Sequence, residues 1–267
     1  MHQEYLPPEE LQDTIKCFWY NRSEHKQALS SFEVLPDGYA EIIFYFGELY
    51  DAALKPLPSP FMVGLLNQPI HYVTRNRLEV IAIRCFPWTV FELLGLPSNV
   101  SQLVVFEHPL SNLQKPLQKC IQEGKIEDAM VLLSTYFLSF QAQLSPNTML
   151  YKAGIAMRKA KGIMPVAQIA EAAHATVRTL ERKFKQSSGF TVKDVTNIMR
   201  FEQVRNHLWL YPESNIAGLA HDFGYTDQAH LIREFKRFSG TTPSSFARNI
   251  QKRKLAISDD FVAFVQS

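Results

Sequence analysis

A chain of 267 residues with 46% hydrophobic and 20% charged residues is long enough for two domains and apolar enough to bury a core in each. Its 28 Lys and Arg nearly balance 26 Asp and Glu, for a formal net charge of +2, so the bulk charge points to no partner. No run of about 18 apolar residues argues for a transmembrane helix, MHQEYLPPEE lacks the basic-then-apolar order of a signal peptide, and three scattered cysteines, Cys17, Cys85 and Cys120, argue against a disulfide framework or zinc cluster and fit a reducing cytoplasm as small buried residues.

In chain order, the first predicted element is a helix over Glu9–Tyr20, with Leu11, Ile15, Phe18 and Trp19 inward. Five short runs rich in β-branched and aromatic residues follow, SFEVL, EIIFYF, FMVGL, HYVTR and LEVIAIRCF. They read as strands punctuated by Pro, Gly and Asn, with a turn at Asp37-Gly38. Such strands predict a small barrel or sandwich. From Pro87 the pattern becomes helical in WTVFELLG, LSNLQKPLQKCIQ and IEDAMVLLSTYFLSF, and SPNT (145–148) reads as a linker. The expected fold class is α+β, divided as a β-rich regulatory domain (1–107), a helical connector (108–146), an all-α domain of two helix-turn-helix units joined by a long helix (147–255), and a tail (256–267).

The all-α expectation rests on a segment written twice. VAQIAEAAHATVRTLERKFKQSSGFT (166–191) returns as IAGLAHDFGYTDQAHLIREFKRFSGTT (216–242), at an offset of 50 residues that becomes 51 from Leu180/Leu231 onward. Val166, Ile169, Ala170 and Ala173, and again Ile216, Leu219, Ala220 and Phe223, lie on one face of a first helix. Pro165 suits the start of one such helix, and Ser214 or Asn215 the cap of the other. The turns fall at His174-Ala175 and Gly224-Tyr225, where positive φ suits Gly better than His, and Thr176 and Thr226 are placed to cap the second helices. Those second helices turn Leu180 and Phe184, or Leu231, Phe235 and Phe238, inward. Outward they present Arg178, Glu181, Arg182 and Lys185 in the first copy, and Gln228, His230, Arg233 and Lys236 in the second. Arg suits guanine and Gln suits adenine, since each can make two hydrogen bonds to a major-groove base edge. Between the copies, VKDVTNIMRFEQVRNHLWL (192–210) has no Pro or Gly and reads as one helix with Val195, Ile198, Met199, Val204 and Leu208 inward. At ~1.5 Å per residue it spans about 28 Å, close to the ~34 Å between successive major-groove segments on one face of B-DNA. Charge follows the same division. Residues 148–255 hold 18 basic against 8 acidic residues, whereas residues 1–147 hold 10 against 16. A basic domain beside an acidic one is the expected footprint of a DNA-binding module with a different neighbour.

Residues 149–250 resemble the AraC/XylS family of bacterial transcription regulators. The second copy carries the family's pattern in FGYTDQAHLIREFKRFSGTTPSSF, the first in TVRTLERKFKQSSG, and MRFEQVRNHL looks like its Arg-bearing linker helix. The resemblance implies a double helix-turn-helix domain that contacts duplex DNA through Arg178, Glu181 and Arg182, then Gln228, Ala229 and Arg233. It also implies RNA polymerase as a partner, a homodimer, a cytoplasmic protein, and activation rather than repression. His174 replaces the family's usual Gly, and Val192 stands where Pro is common.

YLPPEELQDTIKCFW, LPDGYAEIIFYFG and VIAIRCFPWTVFELLGLP resemble a sensor domain found on some members of that family, which implies regulation by a small-molecule effector. Phe32, Phe44, Phe46, Tyr72 and Arg84 are the candidate effector-binding residues, Arg84 to orient an anionic group; a plain aromatic core is the alternative. The rival class is a cupin-like metal enzyme or a DNA-modifying enzyme carrying a DNA-binding domain. His2, His25, His71 and His108 are far apart, with His71 and Glu79 across a hairpin the one pair of interest. No nucleophile elbow, phosphate loop or H-E-x-x-H is present. The expectation is therefore no enzyme, catalytic residue, metal or cofactor, and no membrane partner.

Overall fold

The computed structural model describes residues 1–24, 29–94, 103–104, 108–141 and 148–256. The tail beyond residue 256, and the linker apart from Thr148, lie outside the described residues.

The N-terminal domain is built on one antiparallel sheet of β1 (His2–Tyr5), β2 (Ile15–Glu24), β3 (Ser30–Val34), β4 (Ala40–Asp51), β5 (Phe61–Val63), β6 (Ile70–Cys85) and β7 (Leu103–Val104). Its order is β1-β2-β6-β4-β5-β7, with β3 added to β6. The spine is β6: Ile70–Thr74 pairs with β3, Arg77–Cys85 pairs with β2, and β4 runs along both halves.

Two expectations fail here for identifiable reasons. The helix over Glu9–Tyr20 is a single 3-10 turn at Glu9–Leu11 followed by β2. Cys17, Phe18, Trp19 and Tyr20 are consecutive and all buried, because β2 is covered on both faces. A short apolar run of that kind is compatible with either period. HYVTR and LEVIAIRCF are one strand, since Asn76 enters positive φ (53°) and the chain continues without turning. Opposite it, the register of β4 shifts between Phe46 and Glu48 at Gly47 (φ 134°), where a Cβ would press on the Arg77 carbonyl. An extra residue of this kind bends the bulged strand and increases its local twist. His71 and Glu79 therefore lie eight residues apart along a single strand, about 26 Å at ~3.3 Å per residue, and His71 instead stands 3.7 Å from Glu33.

Side chains alternate between two cores. On one face Phe18, Tyr20, Ile42, Phe44, Ile81 and Ile83 pack against α1 (Val90–Leu93), α2 (Gln114–Gln122) and α3 (Ile126–Gln141). On the other Trp19, Ile43, Val80 and Ala82 pack with Phe32, Phe61 and Tyr72. The C-terminal domain follows as α4 (Thr148–Lys159), α5 (Val166–Ala172), α6 (Val177–Ser188), α7 (Val192–Leu210), α8 (Ile216–Asp222), α9 (Gln228–Ser239) and α10 (Pro243–Ala256). Its core reaches into the first domain. Phe86 stacks on Trp88 at 5.3 Å, Trp88 meets Phe184 at 5.7 Å, and Arg158 lies 4.1 Å over the Phe86 ring. Gly154 of α4 makes room for that indole; a methyl group built there would come within 2.8 Å of Trp88 Nε1 and closer to its ring carbons. No described helix is long and apolar enough to cross a membrane.

Candidate nucleic-acid interface

The duplication is repeated in backbone geometry as well as in letters. After α5 the chain turns through His174 (φ 52°), and after α8 through Gly224 (φ 70°). In both turns the same pair of hydrogen bonds closes the helix: Ala175 N–H to Ala170 O and His174 N–H to Glu171 O, then Tyr225 N–H to Ala220 O and Gly224 N–H to His221 O. The left-handed residue is what lets the N–H that follows it, of Ala175 or Tyr225, reach back to the helix, and this conformation costs a non-glycine residue roughly 1–2 kcal/mol. Thr176 caps α6 by accepting from Thr179 N–H. On α9 the cap is Asp227 rather than Thr226, accepting from His230 N–H at 2.7 Å, because the extra residue in this copy moves the helix start by one. Asn215 caps α8, while the Ser214 hydroxyl meets His207 and donates to Tyr211 O. At their C-termini α6 and α9 again match, with Ser188 and Ser239 bonding back to Phe184 O and Phe235 O before a left-handed Gly189 or Gly240.

Each α5–α6 or α8–α9 pair buries its apolar face and leaves a polar stripe outward. Ile169, Ala170, Leu180 and Phe184 are buried in the first, and Leu219, Ala220, Leu231 and Phe235 in the second. Arg178, Arg182 and Lys185 are exposed on α6, and Gln228, Ala229, Arg233 and Lys236 on α9. The remaining two predicted contacts are engaged internally. Glu181 is half-buried and accepts the Val192 N–H at 2.9 Å, so it caps the start of α7. His230 is half-buried, edge-on to Tyr225, and takes the Thr226 N–H on Nδ1 at 3.4 Å.

The 19-residue α7 holds the two units together. Val195, Ile198, Met199, Val204 and Leu208 are buried as the periodicity predicts, and Asn197, Phe201 and Arg205 are buried on its other sides. Arg200 of α7 clamps the second unit: it donates to Gly224 O at 2.9 Å, pairs with Glu234 at 3.5 Å, and lies 4.9 Å over the Tyr225 ring. Arg200 and Arg205 are the two arginines of the MRFEQVRNHL segment that resembles the family's linker helix, but no local pattern names the partners they meet here.

The candidate effector residues divide between the two faces of the sheet. Phe32, Tyr72 and Arg84 line one cavity, together with Asp37, Glu41 and Arg205 of α7. Phe44 and Phe46 do not belong there, since their even-numbered positions on β4 face the helices. Arg84 is already paired, with Glu41 at 2.8 Å and Asp37 at 3.2 Å. Trp19 donates to the same Glu41 carboxylate at 3.1 Å. Burial pushes the Glu41 carboxyl up, against the pull of Arg84. Among the described residues no group of three or more His, Cys, Asp or Glu is arranged to hold a metal ion.

Residues 169–249 match the family model of a helix-turn-helix domain, and residues 3–103 match that of a domain of unknown function (DUF6597). No curated protein matches the chain. Among solved structures, ToxT from Vibrio cholerae O395 is 13% identical over 88% of this chain and 99% of its own, with a TM-score of 0.48. The C-terminal domain of AraT, a response regulator from Geobacillus stearothermophilus, is 25% identical over 40% of this chain and 87% of its own, with a TM-score of 0.36.

Proposed function

We propose that this chain, whose residues 169–249 match a helix-turn-helix domain and whose C-terminal half resembles the AraC/XylS family, is a transcription regulator that reads two successive major-groove segments of duplex DNA. The carrying observation is two alike units, each with an exposed basic second helix, joined through the 19-residue α7. Arg178 and Arg182 on α6, and Gln228 and Arg233 on α9, are the base-reading set. Lys185 and Lys236 are phosphate contacts, Ala229 is a close-approach position, and Glu181 and His230 hold the readers in shape. The regulator works in the cytoplasm as a homodimer, contacts RNA polymerase and activates transcription; these four points rest on the family resemblance. Its N-terminal domain senses a small effector, a reading supported by the cavity that Phe32, Tyr72 and Arg84 share with α7.

Selection of binding sites from random duplex DNA by the full chain provides the test. Arg182→Ala and Arg233→Ala are expected to weaken the selected site by about 1–3 kcal/mol each, and random DNA by less. Affinity is expected to fall steeply with salt as phosphate counterions are released. Equal losses on selected and random DNA would reassign both arginines to phosphates, and salt-insensitive binding would refute DNA reading altogether.

A further inference from the structure

The cavity is lined by charged, polar and apolar side chains, and its charged groups balance one another. Its charged lining residues are Asp37 and Glu41 against Arg84 and Arg205, two of each sign. Both carboxylates lie on Arg84, so its charge is answered before any ligand arrives. What is left over is hydrogen-bonding capacity. Arg84 Nη1 and the Tyr72 hydroxyl are buried with no hydrogen-bond partner, although both residues are about nineteen-twentieths buried. His2 Nε2 stands 3.7 Å from Glu4 Oε1, beyond hydrogen-bond distance, and burial favours the neutral ring against the pull of that carboxylate. Phe32, Ile43, Leu49, Phe61, Leu78 and Val80 line the rest. An additional buried charge would go uncompensated, whereas a neutral oxygen would satisfy the orphaned groups at no such cost.

The cavity is about 40 Å³, room for about three waters and well short of the ~150 Å³ that accepts a benzene ring. A ligand with an apolar body therefore enters only if a wall yields. One wall comes from outside the sheet: Arg205 of α7, which donates to Pro36 O at 3.2 Å. The adjoining turn at Gly38 faces Met199 and Glu202 of the same helix.

Building on the reading of this domain as a sensor, we propose that its effector is a small neutral molecule with a hydroxyl or carbonyl on an apolar body, held by Arg84 Nη1 and the Tyr72 hydroxyl. It acts by displacing Arg205 and so moving α7, the helix that carries both readers. A ligand can shift DNA affinity only by its differential affinity for the two arrangements.

Three probes of one shape and different charge test this on the full chain: 4-ethylphenol, 4-ethylbenzoate and 4-ethylbenzylamine, titrated by calorimetry. The phenol is expected to bind at least about tenfold more tightly than either ion, since burying an unpaired charge is the costlier step. Tyr72→Phe should weaken it about fivefold, the share of one neutral hydrogen bond. Bound phenol should change the affinity for duplex DNA more than twofold, and in Arg205→Met that response should vanish while the probe still binds. Equal or tighter binding of the benzoate, binding of none of the three, or an unchanged affinity in Tyr72→Phe overturns the ligand class. Binding of the phenol without a DNA response overturns the coupling through α7. Failure of the regulator reading would appear separately, as absent salt-sensitive DNA binding in the probe-free chain, and the calorimetry decides the ligand class even then.

Discussion

Glu181 offers a sharp test, because the duplication supplies its own control. In the first unit α7 begins with Val192, whose backbone N–H would be orphaned at a helix start, and Glu181 accepts it at 2.9 Å. In the second unit the matching helix begins with Pro243, which has no N–H, and the residue aligned with Glu181 is Ile232. The carboxylate is needed where the proline is missing. Glu181→Ala is therefore expected to destabilise the chain by about 1–2 kcal/mol, between the loss of a helix cap and that of a charge-assisted hydrogen bond. In a Val192→Pro background the same change should cost less than about 0.5 kcal/mol. Proline is tolerated at this first position, and Thr191 before it is already extended at φ −77°, ψ 159°. Thermal denaturation of the four chains should show a fall of about 2–8 °C for Glu181→Ala alone, at ~2–4 °C per kcal/mol for this size, and nearly none in the proline background. Equal falls in both backgrounds would refute the capping role. Site selection on the two proline chains separates DNA reading from capping: a shifted sequence preference on losing Glu181 there would show that the carboxylate also reads a base.

Gly154→Ala should destabilise the chain by about 1–3 kcal/mol by forcing a methyl group into the Trp88 indole. In Trp88→Ala it should instead be neutral or stabilising by up to ~1 kcal/mol, the helix preference of Ala over Gly; denaturant unfolding of the double-mutant set checks this. A second expectation concerns Glu202, half-buried on α7, whose carboxyl is pushed up to about 7 by burial, against the pull of Arg205 and with a further push from Asp37. Because the folded chain holds this proton more tightly than the unfolded chain, its contribution is fully present below about pH 4.5 and is lost as pH rises towards 7. Glu202→Gln should remove that dependence and stabilise the chain at pH 8 by on the order of 2 kcal/mol. Parallel slopes of melting temperature between pH 5 and 8 for the two chains would contradict the assignment.

The C-terminal domain was legible because its information is local and written twice. Caps, inward apolar positions and left-handed turn residues sit within a few residues of one another, so Thr176, Gly224 and the Val192–Leu210 helix could be read from the letters alone. Even there the one-residue offset after Thr226 hid the true cap at Asp227. The N-terminal domain was less legible because a strand covered on both faces loses its alternation. The run through Ile15–Tyr20 fits a helix as well as β2, and only pairing with β6 decides between them. Pairing also sets which aromatics share a face, sending Phe44 to the helices and Phe32 and Tyr72 to the cavity. What no local pattern could provide is contact between distant segments: Trp88 seated over Gly154, Glu181 capping Val192, and Arg205 reaching Pro36 across 169 positions. The sequence by itself determined that two helix-turn-helix units share one long helix. The tertiary structure decided that the same helix walls the cavity, because only packing brings chemistry from both ends of the chain within hydrogen-bonding distance.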